Sequence, residues 1–321
     1  MSSPQNNIIQ SNDPEIKKYL LATRPMFLTA SALPVLLGSA IGFHASAQFD
    51  AIAFVLALFS VILAHAAINV LNDVYDDLSG TDRFNDERIF PFTGGSRFIQ
   101  DDILNLNQMR RWGYLLLVMS VVLGLALVAH KGLMVLVFGI VGVFLGVAYS
   151  APPLKLASRG IGESAVGIGF GVIPVVGAAW LQTGYFSWEA LLLSVPVSIW
   201  VANILLINEV PDCAADGKAG KNTLVVKFGL KSAATIYLIL SAVALSALVW
   251  AAVLNYIPAL ALILSFLLFI PAIVAARAII NWKIKPEMME AAIKMTLTIH
   301  AANILWLLGW YIAVSYTHLR A

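Results

Sequence analysis

The sequence predicts an all-α integral membrane protein with nine transmembrane helices. Three observations predict it. The 321 residues are 60% hydrophobic and only 12% charged, where a soluble domain carries about 25% charged residues. Mean hydropathy is +0.85. Apolar runs of roughly 20 residues, the length that crosses a bilayer, recur along the chain between short polar connections.

In order, the spans are 26–46, 51–74, 111–130, 133–150, 162–182, 188–208, 233–253, 258–281 and 291–314. Only "HKG" separates the third from the fourth and only "NYIP" the seventh from the eighth, so both pairs are tight hairpins. The whole chain, 1–321, reads as one membrane-embedded domain. Its first 20 residues are polar, with neither a basic stretch nor a small-residue cleavage site, so no signal peptide is expected. The tail "SYTHLRA" (315–321) breaks off the last apolar run and reads as a non-native end without function. Cys213 is the single cysteine, so no intrachain disulfide forms.

Orientation follows from lysine and arginine, which collect on the cytoplasmic side of short loops. Alternating from the N-terminus, one side holds the N-terminal segment and connections 75–110, 151–161, 209–232 and 282–290. Every lysine and arginine except Lys131 and Arg320 falls there or on the adjoining helix ends. This places the N-terminus in the cytoplasm and the C-terminus outside a bacterial-type inner membrane. Among the acidic residues only Asp50 and Glu189 lie on the other side. Any chemistry is therefore expected at the cytoplasmic face, beside the lipid bilayer and with no nucleic-acid partner.

Two short motifs echo one another. In "NDVYD" (72–76) and "NEVPD" (208–212), Asn72, Asp73, Val74 and Asp76 align with Asn208, Glu209, Val210 and Asp212. Each ends an apolar helix, the second and the sixth, and an even number of spans between them makes the repeat parallel. His65, Asn69, Asn72 and Asp76 are spaced +4, +3, +4 and share one helical face. For His65 the reading is packing against a neighbouring helix; for Asn72, Asp73 and Asp76 it is function, because carboxylates converge and the motif recurs.

Clustered carboxylates repel one another and raise each other's pKa. A hard divalent cation removes that penalty, and Mg²⁺ commonly bridges carboxylates to substrate phosphates. The acidic clusters thus imply Mg²⁺ and a phosphorylated ligand. Arg97, Lys155, Arg159, Lys218 and Lys221 share the same side. In "YSAPPLKLASRGIGE" (149–163), Pro152 and Pro153 stop a helix and fix Lys155 and Arg159 near the membrane surface. Gly167 and Gly171 in the fifth span permit close packing or leave room for a long apolar ligand. Thr296, His300 and Asn303 read as a buried hydrogen-bond network. No Walker, GxSxG or zinc-ligand spacing is present.

The motifs Asn72-Asp73-x-x-Asp76-x-x-x-Gly80-x-Asp82 and Asn208-Glu209-x-x-Asp212-x-x-x-Asp216 resemble those of the UbiA-type intramembrane prenyltransferases. The resemblance runs from "RPMFLTASALPVLLG" (24–38) to the ninth helix. With "TGGSR" (93–97), "YSAPPLKL" and "INEVPDCAADGKAGKNTLVVKFG" (207–229), it is nearest the branch that prenylates 1,4-dihydroxy-2-naphthoate. Gly80 stands where several members carry a third aspartate, and Asp82 follows instead.

The resemblance implies nine helices around a central cavity, with cytoplasmic cap loops carrying the two Asp-rich motifs. It implies that Asp73, Asp76 and Asp82 hold one Mg²⁺ and Asp212 and Asp216 another. Asn72 and Asn208 would orient ligands. Arg97, Lys155, Arg159 and Lys221 would bind the diphosphate of a polyprenyl donor, and Tyr149 would steady the allylic cation by cation–π contact. An aromatic acceptor would then be alkylated, dihydroxynaphthoate losing CO₂. The competing acceptors are 4-hydroxybenzoate, homogentisate, a chlorophyllide and a haem. From other classes, a non-catalytic membrane scaffold would not need two matched acidic motifs. A cation-coupled transporter would place carboxylates near the midplane on an inverted repeat.

Overall fold

The computed structural model describes residues 13–318; most of the polar N-terminal segment and the end of the 315–321 tail lie outside it. Among the described residues there is no strand. The helices are α1 (Glu15–Ala22), α2 (Thr29–Ser46), α3 (Ala51–Ser79), α4 (Leu106–Lys131), α5 (Val135–Ser150), α6 (Gly162–Gly167), α7 (Ile173–Thr183), α8 (Trp188–Lys218), α9 (Leu224–Val253), α10 (Leu262–Ile280) and α11 (Glu287–His318).

Among the described residues, eight helical segments are long and apolar enough to cross a membrane. One of them, Gly162–Thr183, joins α6 to α7 through a π-helical turn at Ile168–Val172. The remaining predicted span is α5, apolar but shorter than the others. Every predicted span therefore falls on a helix. The edges differ in a consistent direction. Helix α3 was expected to end at 74 and runs to Ser79; α8 was expected to end at 208 and runs to Lys218. Hydropathy stops where charges begin, but backbone hydrogen bonding continues into water. Both acidic motifs consequently ride on helical extensions, and of the aspartates in them only Asp82 sits in a connection.

Local sequence sets the ends. The Asp50 carboxylate accepts from Ala53 N–H at 2.8 Å to start α3, and Gly80 stops it at φ 78°. Asn105 and Gln108 form a capping box at the start of α4. Thr223 caps α9, which bends at Gly229.

Helices α2 and α8 are the most buried spans. Around them α3 packs on α4, α2 on α7, α8 on α9, and α10 and α11 close the ring against α9 and α2. In lipid, close approach of backbones holds helices together. A Cβ on Gly38 would stand 2.2 Å from Val175 O, and one on Gly171 would stand 2.2 Å from Ser198 Oγ. These contacts lock α2 to α7, and the π turn to α8. On α5, by contrast, a Cβ at Gly139 or Gly142 would meet nothing within 4 Å.

Candidate active site

The extensions of α3 and α8 bring the two motifs to one chamber. Its volume, counting the open mouth, is about 1110 Å³, and it is lined by Asn72, Asp76 and Asp82 from the first motif and by Asn208, Asp212 and Asp216 from the second. Arg24, His65, Asn69, Asn85, Tyr149, Glu209 and Lys221 are among the other charged and polar groups of its wall.

Protein donors hold the carboxylates apart. Asp76 accepts from Asn72 Nδ2 at 2.6 Å and from Lys221 Nζ at 2.7 Å. Lys221 also lies 3.6 Å from Asp216. Asp212 accepts from Asn85 Nδ2 at 2.7 Å and from the Gly94 N–H at 2.9 Å. Asp73 is buried behind the chamber and accepts from Ser96 N–H at 2.9 Å, while its Oδ1 has no partner. Gly95 passes close to that oxygen at φ 68°; a Cβ there would come within 2.9 Å of Asp73 Oδ1. Glycine is required at this point for both reasons.

Electrostatics follow from this crowding. Burial, reinforced by the charges on Asp76 and Asp73, pushes Asp82 up to about 8. Burial works against the Lys221 ammonium, but Asp76 and Asp216 outweigh it and hold that pKa above the ordinary lysine value. Glu163 lies beside Glu209; both are buried, and each leaves one carboxyl oxygen without a partner.

The remaining expected residues fall elsewhere. Arg97 donates to the backbone oxygens of Asp82 and Asn85, at 3.0 and 3.5 Å, and so braces the connection rather than lining the chamber. Lys155 and Arg159 are exposed, Arg159 donating to Pro153 O at 2.8 Å. Their loop is tied to the chamber rim where Asn222 N–H donates to Ser158 O. Asn208 lines the chamber with its Oδ1 unpartnered.

Three participants escape the sequence reading: Arg24, Asn85 and the Gly94 amide. Arg24 sits at φ 55° between α1 and the next turn, donates to Phe92 O at 3.2 Å, and keeps a buried Nε without a partner. The adjacent glycines in "TGGSR" were the available signal for a backbone amide turned toward an anion.

A second cavity, about 1050 Å³, adjoins the first and is almost wholly apolar. Ile68, Tyr149, Val166 and Phe170 line both. Charged chamber and greasy cavity thus meet at one neck.

Comparison with known proteins decides the family. The sequence profile of the UbiA prenyltransferase family matches residues 31–295. The chain belongs to the UbiA prenyltransferase family. It is 33% identical over 239 residues to UbiA prenyltransferase domain-containing protein 1 of Dictyostelium discoideum, covering 71% of this chain and 70% of that one. It is 31% identical over 214 residues to 1,4-dihydroxy-2-naphthoate octaprenyltransferase of Bacillus subtilis, covering 67% of each. A UbiA homolog from Archaeoglobus fulgidus, solved with DMAPP and Mg²⁺, superposes with a TM-score of 0.62 at 19% identity, over 91% of this chain and 99% of that one. That likeness establishes a shared fold. The protein is a membrane-embedded prenyltransferase, and the transporter reading finds no support.

The donor set bears on a metal. Among the described residues no three His, Cys, Asp or Glu groups already converge as a ligand cage. The chamber nonetheless presents hard oxygen donors in excess, with Arg24 and Lys221 as the cations in its lining. A cation that takes one or two carboxylates, phosphate oxygens and water needs no preformed cage. The residues fit such an ion.

Proposed function

We propose that this chain transfers a polyprenyl group from its diphosphate to 1,4-dihydroxy-2-naphthoate, with Mg²⁺, at the cytoplasmic face of a bacterial-type plasma membrane. The observation that carries this reading is the neck: an acidic, phosphate-competent chamber opening directly onto an apolar cavity. An isoprenoid diphosphate has the same two halves. The choice of acceptor is supported by relatives in Bacillus subtilis and Haemophilus influenzae, both named 1,4-dihydroxy-2-naphthoate octaprenyltransferase.

Asp76 and Asp82 on one side, and Asp212 and Asp216 on the other, would hold the ion, with Asp73 shaping the loop behind them. When bound, Mg²⁺ supplies charge neutralisation at the diphosphate leaving group. Lys221 exchanges its carboxylate contacts for phosphate oxygens, and the Arg24 guanidinium adds positive charge to the lining. Asn72 and Asn208 orient the ligands by hydrogen bonds. Lys155 and Arg159 on the rim attract the diphosphate as it arrives, and Arg97 keeps the Asp82 connection in place.

The allylic C–O bond breaks with its electron pair on the diphosphate. Tyr149, at the neck, faces the carbon that becomes cationic. The apolar neck excludes water from that carbon. A ring carbon of the acceptor supplies the pair for the new C–C bond, and the carboxylate leaves as CO₂ with its bonding pair returned to the ring.

The test combines purified protein, Mg²⁺ and labelled polyprenyl diphosphate with dihydroxynaphthoate or 4-hydroxybenzoate, read by product mass. Demethylmenaquinol or its quinone is the expected product. A prenylated hydroxybenzoate alone would overturn the acceptor, and no product from either would overturn the donor and acceptor together.

A further inference from the structure

His65 lies on α3 seven residues before Asn72, about 10 Å down the helix axis. It lines the chamber at the level of the neck and is tilted against Phe170 with ring centroids 4.2 Å apart. Its Nδ1 stands 3.0 Å from Ser31 Oγ on α2. The Ser31 hydroxyl has a single proton, and it donates that proton to Leu28 O at 2.9 Å. Toward His65 it is therefore an acceptor, which assigns the imidazole proton to Nδ1. Nε2 is left as a bare lone pair. It has no protein partner, yet it is not among the sealed, unpartnered atoms of the structure; its lone pair opens on the chamber. At the neck Ile68, Val166 and Phe170 are apolar, and the Tyr149 phenol is the polar group shared by the two cavities.

A bare acceptor beside an aromatic ring, in a largely apolar neck, suits a hydroxyl on a flat aromatic ligand. We propose that His65 Nε2 accepts a hydrogen bond from a ring hydroxyl of the aromatic acceptor and so fixes which edge of that ring faces the donor. This rests on the reading of the protein as a prenyltransferase for a hydroxylated aromatic. The carboxylates, Arg24 and Lys221 hold the diphosphate end, while His65 selects and orients the other substrate. Ser31 serves only to fix the tautomer.

Two variants separate the contacts. Gln at position 65 reaches about as far as Nε2, whereas Asn reaches only as far as Nδ1. His65→Asn is expected to raise the KM for dihydroxynaphthoate at least about tenfold and to leave the KM for the prenyl diphosphate within about twofold. His65→Gln is expected to stay within about threefold of wild type in both. One of the two monomethyl ethers of dihydroxynaphthoate, the one blocking the bonded hydroxyl, should show no difference between wild type and His65→Asn. Equal losses in both variants, a loss in donor KM, or an undiminished loss with both ethers would overturn the assignment. If wild type prenylates neither dihydroxynaphthoate nor 4-hydroxybenzoate, the functional reading falls and His65 loses its ligand; an active wild type with indifferent variants removes His65 alone.

Discussion

Lys221 Nζ lies 2.7 Å from Asp76 Oδ1, so a lysine that follows the second motif neutralises the central aspartate of the first. The same ammonium is 3.6 Å from Asp216. In this arrangement it stands where a positive charge is needed before any ligand arrives. Lys221→Gln should therefore tighten Mg²⁺ binding in the absence of donor and raise the donor KM at least about tenfold, because a phosphate contact is lost. Calorimetry with Mg²⁺ alone and steady-state kinetics check the two arms separately.

Within the two motifs, Asp76 and Asp212 each accept from two donors. Converting either to asparagine preserves shape and removes charge. Each substitution should lower kcat at least about 100-fold, if the ion supplies several kcal/mol. EDTA should abolish product and added Mg²⁺ restore it. Near-normal turnover in either variant, or turnover without metal, contradicts the two-motif reading.

Lys155 and Arg159 are exposed and outside the chamber lining. Charge at such a distance acts on encounter more than on the bound complex. The double variant Lys155→Ala, Arg159→Ala should raise donor KM at low salt, with the difference closing toward 1 M salt, where charges are screened within about 3 Å. Its kcat should stay within about threefold of wild type. A fall in kcat comparable to that expected for Asp76→Asn would mean that this loop enters the chamber.

At the opposite face Asp50 caps α3 and joins it to α4, His130 Nε2 lying 2.8 Å and Lys131 Nζ 3.2 Å from its carboxylate. Burial raises its pKa, but the Ala53 N–H, Lys131 and His130 outweigh this and hold it below the ordinary aspartate value. A depressed pKa stabilises the fold above the ordinary carboxylate range and stops doing so as pH falls through the depressed value. Asp50→Asn keeps the cap and loses the ion pairs, a cost of about 0.5–1 kcal/mol. Melting in detergent should show wild type above the variant at neutral pH and the two converging in strong acid.

The sequence carried the helices and the aspartates because both are repeated signals: apolar runs of bilayer length, and one motif written twice. It carried Asp76 and Asp212 as partners because each closes a span on the same side. Arg24 was legible only as a positive charge near a membrane surface, since its place in the wall depends on a left-handed residue that no periodicity announces. Asn85 and Gly94 reach Asp212 across more than a hundred residues, a contact that only the tertiary fold creates. His65 was read as packing against a neighbour, and its bond to Ser31 is that contact; the free side of its ring emerged only once α6, the π turn and α3 were set around it. Lys155 and Arg159 were expected to bind the diphosphate; both are exposed and outside the chamber lining, a direction that residue spacing does not encode.

The two walls of the apolar cavity differ in stiffness. Gly38 brings the backbone of α2 against α7, and Gly171 brings the π turn against α8, so those helices cannot part without losing close contact. Gly139 and Gly142 on α5 line the cavity, and a Cβ on either would meet nothing within 4 Å. An isoprenoid lying in that cavity, as the proposed function requires, would find room beside α5 and none between α2 and α7, so added chain length would be taken up along α5.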